Sequence, residues 1–190
     1  SPWTYLASTR FRELAEKHNA TVNLYLVDLG KVFPVSGGLP LPKRAPQRQA
    51  YRLQEMARFS SYLGQPLIAK PKHFPPSSSF AGPVMAAARA SLLITDALRA
   101  TEAIMTQLWA YDEDIGNADV LAAALTKAGF DGDALVNDAK ANIDDYAAEV
   151  DADTKQAISA NVFGAPTFIV EGEVFWGQDR LDLLDWRLSN

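Results

Sequence analysis

The side chains that could do chemistry in this sequence are few. The 190 residues include no cysteine, which excludes a thiolate nucleophile, a dithiol redox pair and a cysteine zinc site, because each needs sulfur from the protein. The two histidines, His18 and His73, lie 55 positions apart without an HExxH arrangement. Carboxylate sites for hard cations stay formally open, but we expect no metal site. Any sulfur chemistry must therefore come from a ligand.

Polar residues also stand where two helices are predicted to begin. Ser1 precedes Pro2, and proline suits the first helical turn, where no backbone donor is needed. Near the C-terminus Asp179 occupies an N-cap position, and Asp182 three residues later favours the first turn through the helix dipole. Simple capping explains either one, although a capping carboxylate keeps a second oxygen for an ammonium group.

Composition narrows the class of protein. With 18 basic and 23 acidic side chains the net charge is −5, and the one basic cluster, Lys43 to Arg52, is short, so nucleic acid is not an expected partner. No run approaches 18 consecutive apolar residues, and no charged segment followed by an apolar one stands at the start of the sequence. We therefore expect neither a membrane span nor a signal peptide, and a cytoplasmic protein. Because the chain begins at Ser1 without Met, we also expect further residues upstream.

The first third of the chain predicts an alternation of elements. Apolar residues at helical spacing predict a helix over Pro2–His18, and the β-branched and aromatic run Thr21–Leu29 predicts a buried strand. The proline-rich segment Lys31–Pro46 predicts a loop, either functional or merely connecting. A second helical pattern covers Arg48–Leu63 and ends at Gly64.

The rest of the chain changes character twice. Residues Val84–Ser159 are rich in Ala, Leu, Asp, Glu and Lys and predict four or five helices. Two strand-like runs, Thr167–Val170 and Glu173–Trp176, predict a hairpin with its turn at Glu171–Gly172. A last helix follows in GQDRLDLLDWRL.

This order is that of an α/β thioredoxin-like fold with a large all-helical insertion, provided that a first strand precedes Ser1 in the missing upstream residues. The predicted division is residues 1–83 and 160–190 for the thioredoxin-like part and 84–159 for the insertion. In that fold Ser1–Thr4 occupies the position of the usual Cys-x-x-Cys, and Ala165–Pro166 precedes the hairpin, where a cis proline is expected. Hydroxyl groups therefore replace the dithiol.

The sequence then resembles one family: the 2-hydroxychromene-2-carboxylate isomerases and kappa-class glutathione transferases, a DsbA-like branch of the thioredoxin superfamily. Each shared segment is weak or moderate alone, but five occur in the expected order along nearly the whole chain. They are SPWTYLA from Ser1, the series Pro46, Arg48, Tyr51, Glu55 and Arg58, LWAYDEDIGNADVL from Leu108, VFGAPTFIV from Val162, and FWGQDRLDLL from Phe175.

The resemblance implies that Ser1 activates the thiol of glutathione. Physical chemistry supports such a role, because a helix N-terminus and a hydroxyl donor both favour a thiolate. The free thiol pKa of about 8.5 must fall, and each pKa unit corresponds to about 1.4 kcal/mol. A hydrogen bond to a charged group contributes about 1.5 to 3 kcal/mol, which is enough.

The other site residues are also implied by the resemblance. The residues around the cis proline, Ala165 and Pro166, would bind the cysteinyl part of glutathione, and Gln178 and Asp179 its γ-glutamyl group. The lysine that the family uses near the glycyl end corresponds to Arg48, which keeps the charge but changes the geometry.

The remaining implications concern the substrate. Many family members carry an asparagine where this chain has Ser36–Pro40, and that contact has no assigned replacement. Trp3 and Phe33 are predicted to line a pocket for a small aromatic substrate. Phe74, Trp109 and Trp176 are further aromatic candidates, although each of the five is also typical of a core.

Three functions are consistent with this sequence. The first is glutathione-dependent isomerisation of an aromatic enone such as 2-hydroxychromene-2-carboxylate, in which a thiolate adds, the new single bond rotates and glutathione is eliminated. The second is net conjugation by a kappa-like glutathione transferase, and the third is a non-catalytic DsbA-like binding module. Dimerisation is an expectation from the family only, and the sequence does not identify the physiological substrate.

Overall fold

A computed structural model describes all of residues 1–190. The chain forms nine α-helices and one antiparallel pair of strands. In chain order these are α1 Pro2–Lys17, α2 Leu29–Ser36, α3 Pro46–Leu63, α4 Ala81–Ser91, α5 Ile94–Tyr111, α6 Ala118–Lys127, α7 Gly132–Ala141, α8 Ile143–Ser159, β1 Thr167–Val170, β2 Glu173–Trp176 and α9 Leu181–Ser189.

The packing divides the chain into two compact units. The first contains Ser1–Thr21, Val27–Ala69 and Thr154–Asn190, and the second contains Val22–Leu26 and Lys70–Asp153. The sequence-predicted site residues Ser1, Arg48, Ala165, Pro166, Gln178 and Asp179 all belong to the first unit. None of the helices combines the length and the hydrophobicity that a membrane-spanning helix requires.

The core of the first unit lies between α1, the β1–β2 hairpin and α9. Its buried members are Ala7, Leu14, Phe175, Leu181 and Leu184. The rings of Phe11 and Phe168 stack against this cluster with centroids 4.7 Å apart. These positions recur at helical spacing in α1 and α9, which is why one face of each helix is apolar.

Helix α3 matches its sequence prediction closely. It begins at Pro46, whose missing donor costs nothing in the first turn, and Gly64 ends it in the left-handed conformation at φ +64°. Met56 has no exposed surface, and the ring of Phe59 meets the edge of Trp3 with centroids 6.2 Å apart. Helix α3 therefore packs against the first turn of α1.

The predicted hairpin is also present. Thr167 pairs with Trp176 and Val170 with Glu173, so the register closes at a turn of Glu171 and Gly172. Both turn residues have positive φ, of +49° and +84°, as a two-residue hairpin turn requires.

The strand predicted over Thr21–Leu29 is wrong. Residues 20–28 form no ladder, and Leu29 already belongs to α2. Side chains take two of the backbone donors instead: Leu26 N–H donates to the Asp153 carboxylate at 2.9 Å, and Asp28 N–H donates to the Thr154 hydroxyl at 3.0 Å. The β-propensity of the run is real, but strands need a paired neighbour.

The loop predicted over Lys31–Pro46 is also partly wrong. Helix α2 covers most of its first half, because Asp28 caps it through a 2.8 Å bond from Gly30 N–H and Gly37 ends it at φ +75°. Pro34 lies inside this helix, where it costs one backbone donor. The segment Leu41–Lys43 forms a 3-10 turn.

The second unit is helical, as predicted, with α4 to α7 and most of α8. Asn117 and Asp131 cap α6 and α7 through bonds of 2.9 and 3.0 Å to backbone N–H groups. Arg89 of α4 donates to the Leu24 carbonyl and to the carboxylates of Glu149 and Asp153. These charge-assisted bonds hold the segment Val22–Leu26 within the unit.

Candidate functional site

The site is organised around the Ser1 hydroxyl at the N-terminus of α1. Its Oγ donates to the Ala165 carbonyl at 3.1 Å and accepts from Thr4 N–H at 3.4 Å, so it caps the helix and reaches the loop before β1. The structure thus brings together two predicted site residues that are 164 positions apart. Ser1 is exposed, which leaves its hydroxyl accessible to a ligand.

The loop before β1 offers a backbone donor next to Ser1. The Ala165–Pro166 bond is cis, as predicted, and Pro166 is buried. The Pro166 carbonyl accepts from Gly177 N–H at 3.0 Å, whereas the Ala165 N–H has no partner in the chain. A ligand with a peptide carbonyl could satisfy that donor.

Gln178 has a structural partner. Only 2% of its surface is exposed, and Arg10 of α1 donates to its backbone carbonyl at 3.0 Å and to its side-chain oxygen. The same guanidinium donates to the Leu6 carbonyl at 3.2 Å. We call these bonds from Arg10 to Gln178 and Leu6 the Arg10 clamp. Because Gln178 lies between Gly177 and Asp179, the clamp fixes the turn that contains Asp179.

Asp179 is not the helix cap that the sequence predicted. It lies inside a 3-10 turn, Gln178–Arg180, and no side chain caps α9. Its Oδ2 accepts from Arg180 at 2.9 Å across an exposed ion pair. The Asp179 carboxylate is therefore exposed to solvent, two residues after Gly177, which is hydrogen-bonded to Pro166. It is available to a cationic group of a ligand.

Positive charge collects around the start of α3. Arg44, Arg48 and Arg52 follow one another at four-residue spacing, and none is ion-paired with a carboxylate. Burial and the charge of Arg48 lower the pKa of Arg44, and burial and the charge of Arg44 lower the pKa of Arg52. The cluster is thus uncompensated and suited to an anion.

The two predicted substrate-binding aromatics are both half-buried. Trp3 packs on Phe59, as described above, and the Arg44 guanidinium lies 5.7 Å from the centre of the Phe33 ring. A side chain at Gly38 would lie 2.5 Å from that ring, so the glycine lets the loop close over Phe33. The rings of Trp3 and Phe33 thus have different partners.

The other aromatic candidates have different partners. Phe74 contacts Trp109, which is 1% exposed, within the second unit. Trp176 packs on Phe163 with centroids 4.8 Å apart and stays half exposed.

Sequence reasoning missed the bonds from Arg10 to Gln178 and a buried Thr4 hydroxyl without a partner, and it noted the basic cluster Lys43 to Arg52 without assigning Arg44 and Arg52 to this site. The four-residue spacing of Arg44, Arg48 and Arg52, with no acidic residue among residues 43–52, was the signal that could have assigned all three arginines to the site. Thr4 occupies the last position of the Ser1–Thr4 segment, one helical turn beyond Ser1.

Comparison with known proteins decides the family. A family model described as a DSBA-like thioredoxin domain matches residues 1–189. The chain belongs to this family. The predicted thioredoxin-like fold with a helical insertion is thereby confirmed. The family resemblance seen in the sequence motifs is also supported by relatives of this chain among curated proteins.

Three relatives of this DSBA-like chain carry the same name, 2-hydroxychromene-2-carboxylate isomerase. The proteins from Pseudomonas putida and Sphingobium xenophagum are each 25% identical over 97% of this chain and 88% and 91% of their own lengths. That of Pseudomonas sp. (strain C18) is 27% identical over 97% of this chain and 84% of its length. A solved structure of a 2-hydroxychromene-2-carboxylate isomerase superposes with a TM-score of 0.78 at 23% identity, covering 100% of this chain and 90% of that one, which supports the fold.

Proposed function

We propose that the chain is a glutathione-dependent isomerase of a small aromatic enone such as 2-hydroxychromene-2-carboxylate. The observation that carries the proposal is the Ser1 hydroxyl, exposed at a helix N-terminus and 3.1 Å from the loop carbonyl of Ala165, in a chain that has no thiol of its own. The names of the relatives supply the reaction class.

The residues present fit glutathione. The unpartnered Ala165 N–H would bind its cysteinyl carbonyl, the exposed Asp179 its ammonium group, and Arg48 its glycyl carboxylate. When bound, glutathione would supply a thiolate that adds reversibly to a conjugated double bond and is released after rotation about the resulting single bond.

Ser1 has one proton to donate. At present the hydroxyl donates to the Ala165 carbonyl, so it must rotate about Cα–Cβ or Cβ–Oγ to donate to a sulfur instead. The first turn of α1 contains no acidic residue, so the helix dipole acts on that sulfur without opposition from its own turn. Trp3 and Phe33 would provide apolar surface for the aromatic substrate.

The experiment that tests this function follows substrate and glutathione together. The 2-hydroxychromene-2-carboxylate is incubated with the protein and substoichiometric glutathione, product is followed by absorbance, and free thiol is titrated at the end. We expect many turnovers per glutathione with the thiol fully recovered, and none with S-methylglutathione, which has no thiol.

Two results would contradict the proposal. Loss of thiol in proportion to product, with a glutathione adduct found by mass spectrometry, would make the protein a transferase. Absence of any glutathione-dependent product would leave the protein without either activity.

A further inference from the structure

The arginines at the start of α3, Arg44, Arg48 and Arg52, have no counter-ion, whereas other arginines of the chain do. Arg58, later in α3, is paired with Glu55, and Arg99 of α5 is paired with Asp96 at 2.9 Å. None of the three is paired with a carboxylate, and Arg48 and Arg52 lie four residues apart within α3, where like charges destabilise a helix. A bound anion would relieve this repulsion.

Arg52 has a particular place within this cluster. Met56 and Phe59 follow it by one and two helical turns, so all three share a face of α3. Met56 is buried, and Phe59 meets Trp3 in the first turn of α1, two residues beyond Ser1. Arg52 is half-buried on the face of α3 that packs against the start of α1, and it makes no hydrogen bond within the chain.

The electrostatic field at Ser1 agrees with this placement. Where Ser1 is the first residue, its amino nitrogen is buried although the residue as a whole is exposed, and this burial together with the charge of Arg52 lowers the pKa of the amino group to about 6. The segment Val162–Thr167, which contacts Ser1, carries no titratable side chain, and Asp179 on the neighbouring turn is paired with Arg180. The charge of Arg52 thus reaches the start of α1, in agreement with its place on the face of α3 that packs there.

We propose that Arg52 is the cation that stabilises a thiolate held at Ser1, in addition to the hydroxyl and the helix dipole. This role rests on the proposed use of glutathione, but the electrostatic part concerns position 1 itself. A half-buried charge is screened less by salt than an exposed one, so the effect persists at physiological ionic strength. Arg44 and Arg48 then remain for the carboxylate of the ligand.

The test uses the absence of cysteine in the chain. Ser1→Cys, in a chain where a peptide bond precedes residue 1 so that no amine contributes charge, introduces a single thiol at the position in question. Its pKa is measured from thiolate absorbance near 240 nm and from the rate of alkylation against pH. The same measurement is repeated with Arg52→Met, Arg52→Lys and, as a control with the same change of net charge, Arg58→Met.

We expect Arg52→Met to lower the ratio of thiolate to thiol by about three- to tenfold at a given pH, the size of one charge acting through a partly buried path. Arg52→Lys should restore most of that ratio, and Arg58→Met should not change it. Circular dichroism verifies that each variant keeps its helical content. An unchanged thiol pKa in folded Arg52→Met would overturn the role of Arg52.

A parallel measurement separates this inference from the proposed function. With Ser1 in place, glutathione is titrated into the protein and the pKa of the bound thiol is read for the same variants. If the thiol from Ser1→Cys responds to Arg52 but glutathione does not bind, the electrostatic role stands and the proposed function fails. If glutathione binds and its thiol pKa ignores Arg52, the proposed function survives and Arg52 is a structural residue.

Discussion

The Ser1 hydroxyl is both a donor and an acceptor: it donates to the Ala165 carbonyl and accepts from Thr4 N–H. Ser1→Ala should therefore weaken two separate properties. Loss of the cap costs about 0.5 to 1 kcal/mol of unfolding free energy, since the 3.4 Å cap is long. Loss of the hydroxyl donor should raise the pKa of the thiol of bound glutathione and reduce its ratio of thiolate to thiol about 10- to 150-fold.

Thiolate absorbance and turnover of 2-hydroxychromene-2-carboxylate measure the effect of Ser1→Ala. Ser8→Ala is the matched control, because Ser8 lies on the same helix and its hydroxyl donates only to the Tyr5 carbonyl at 2.8 Å. If Ser1→Ala changes stability alone, Ser1 is only a helix cap.

Asp179 makes a different prediction, because its carboxylate is not engaged in capping. Asp179→Asn should weaken glutathione binding by about 10- to 150-fold in Kd, through loss of a charge-assisted contact with the ammonium group. Stability should hardly change, since the only partner is Arg180 across an exposed ion pair. Calorimetric titration gives the first quantity and urea unfolding the second.

Asp182→Asn provides the comparison for Asp179, one turn later and equally charged. Equal losses of affinity in the two variants would mean that general electrostatics, rather than a contact with Asp179, holds the ligand.

At the residue scale the sequence predicted that Ser1 and Ala165 lie close together, and the bond between them confirms this contact. Each residue lies beside an element boundary that proline marks. The sequence misassigned Asp179, since a 3-10 turn and an N-cap share the same preference for Asp. It could not predict the Arg10 clamp on Gln178, which joins residues 168 positions apart.

At the scale of elements the position of the site depends on how α3 packs on α1. Met56→Ala removes a side chain with no exposed surface from this contact face. We expect it to lower the free energy of unfolding by about 2 to 4 kcal/mol, from lost burial and the cavity left behind. Urea unfolding followed by circular dichroism measures this loss.

Tyr62→Ala is the control for Met56→Ala on the same helix. Tyr62 is 81% exposed, so its removal should change stability by less than about 0.5 kcal/mol. Similar losses in both variants would show that α3 contributes through helix propensity rather than through packing.

Periodicity predicted α1, α3 and the hairpin because their patterns coincide with local end signals such as Pro2, Gly64 and Gly172. It failed at Thr21–Leu29 because the partners of that segment are the side chains of Asp153 and Thr154, more than a hundred residues later. It failed at α2 because the prolines after Lys31 predicted a loop, whereas the structure has a helix there that is capped by Asp28 and ends at Gly37. Local patterns thus specify elements but not their long-range partners.

At the scale of the whole chain, the beginning and the end of the sequence are joined. Besides the Ser1–Ala165 and Arg10–Gln178 contacts, Asp185 of α9 accepts from Lys17 Nζ at 2.7 Å and lies 2.5 Å from His18 Nε2 at the end of α1. These contacts hold α1, which carries the site, against α9. Stability of the first unit should therefore respond to the charge of Asp185.

The bonds from Lys17 and then His18 lower the pKa of Asp185 below its ordinary value. A carboxyl whose pKa is lower in the folded state stabilises that state above the unfolded pKa of about 3.9, and the contribution disappears as pH falls through the folded pKa. Asp185→Asn should therefore destabilise the protein at pH 7, and this destabilisation should disappear progressively below about pH 4.

Urea unfolding of the wild type and of Asp185→Asn from pH 7 to pH 3 measures the difference in unfolding free energy. The control is Glu13→Gln, because Glu13 is an exposed residue on α1 without an ion pair, and this variant should differ little from the wild type. A gap between the wild type and Asp185→Asn that stays constant down to pH 3 would mean that side-chain shape at this position, rather than its charge, joins the two helices.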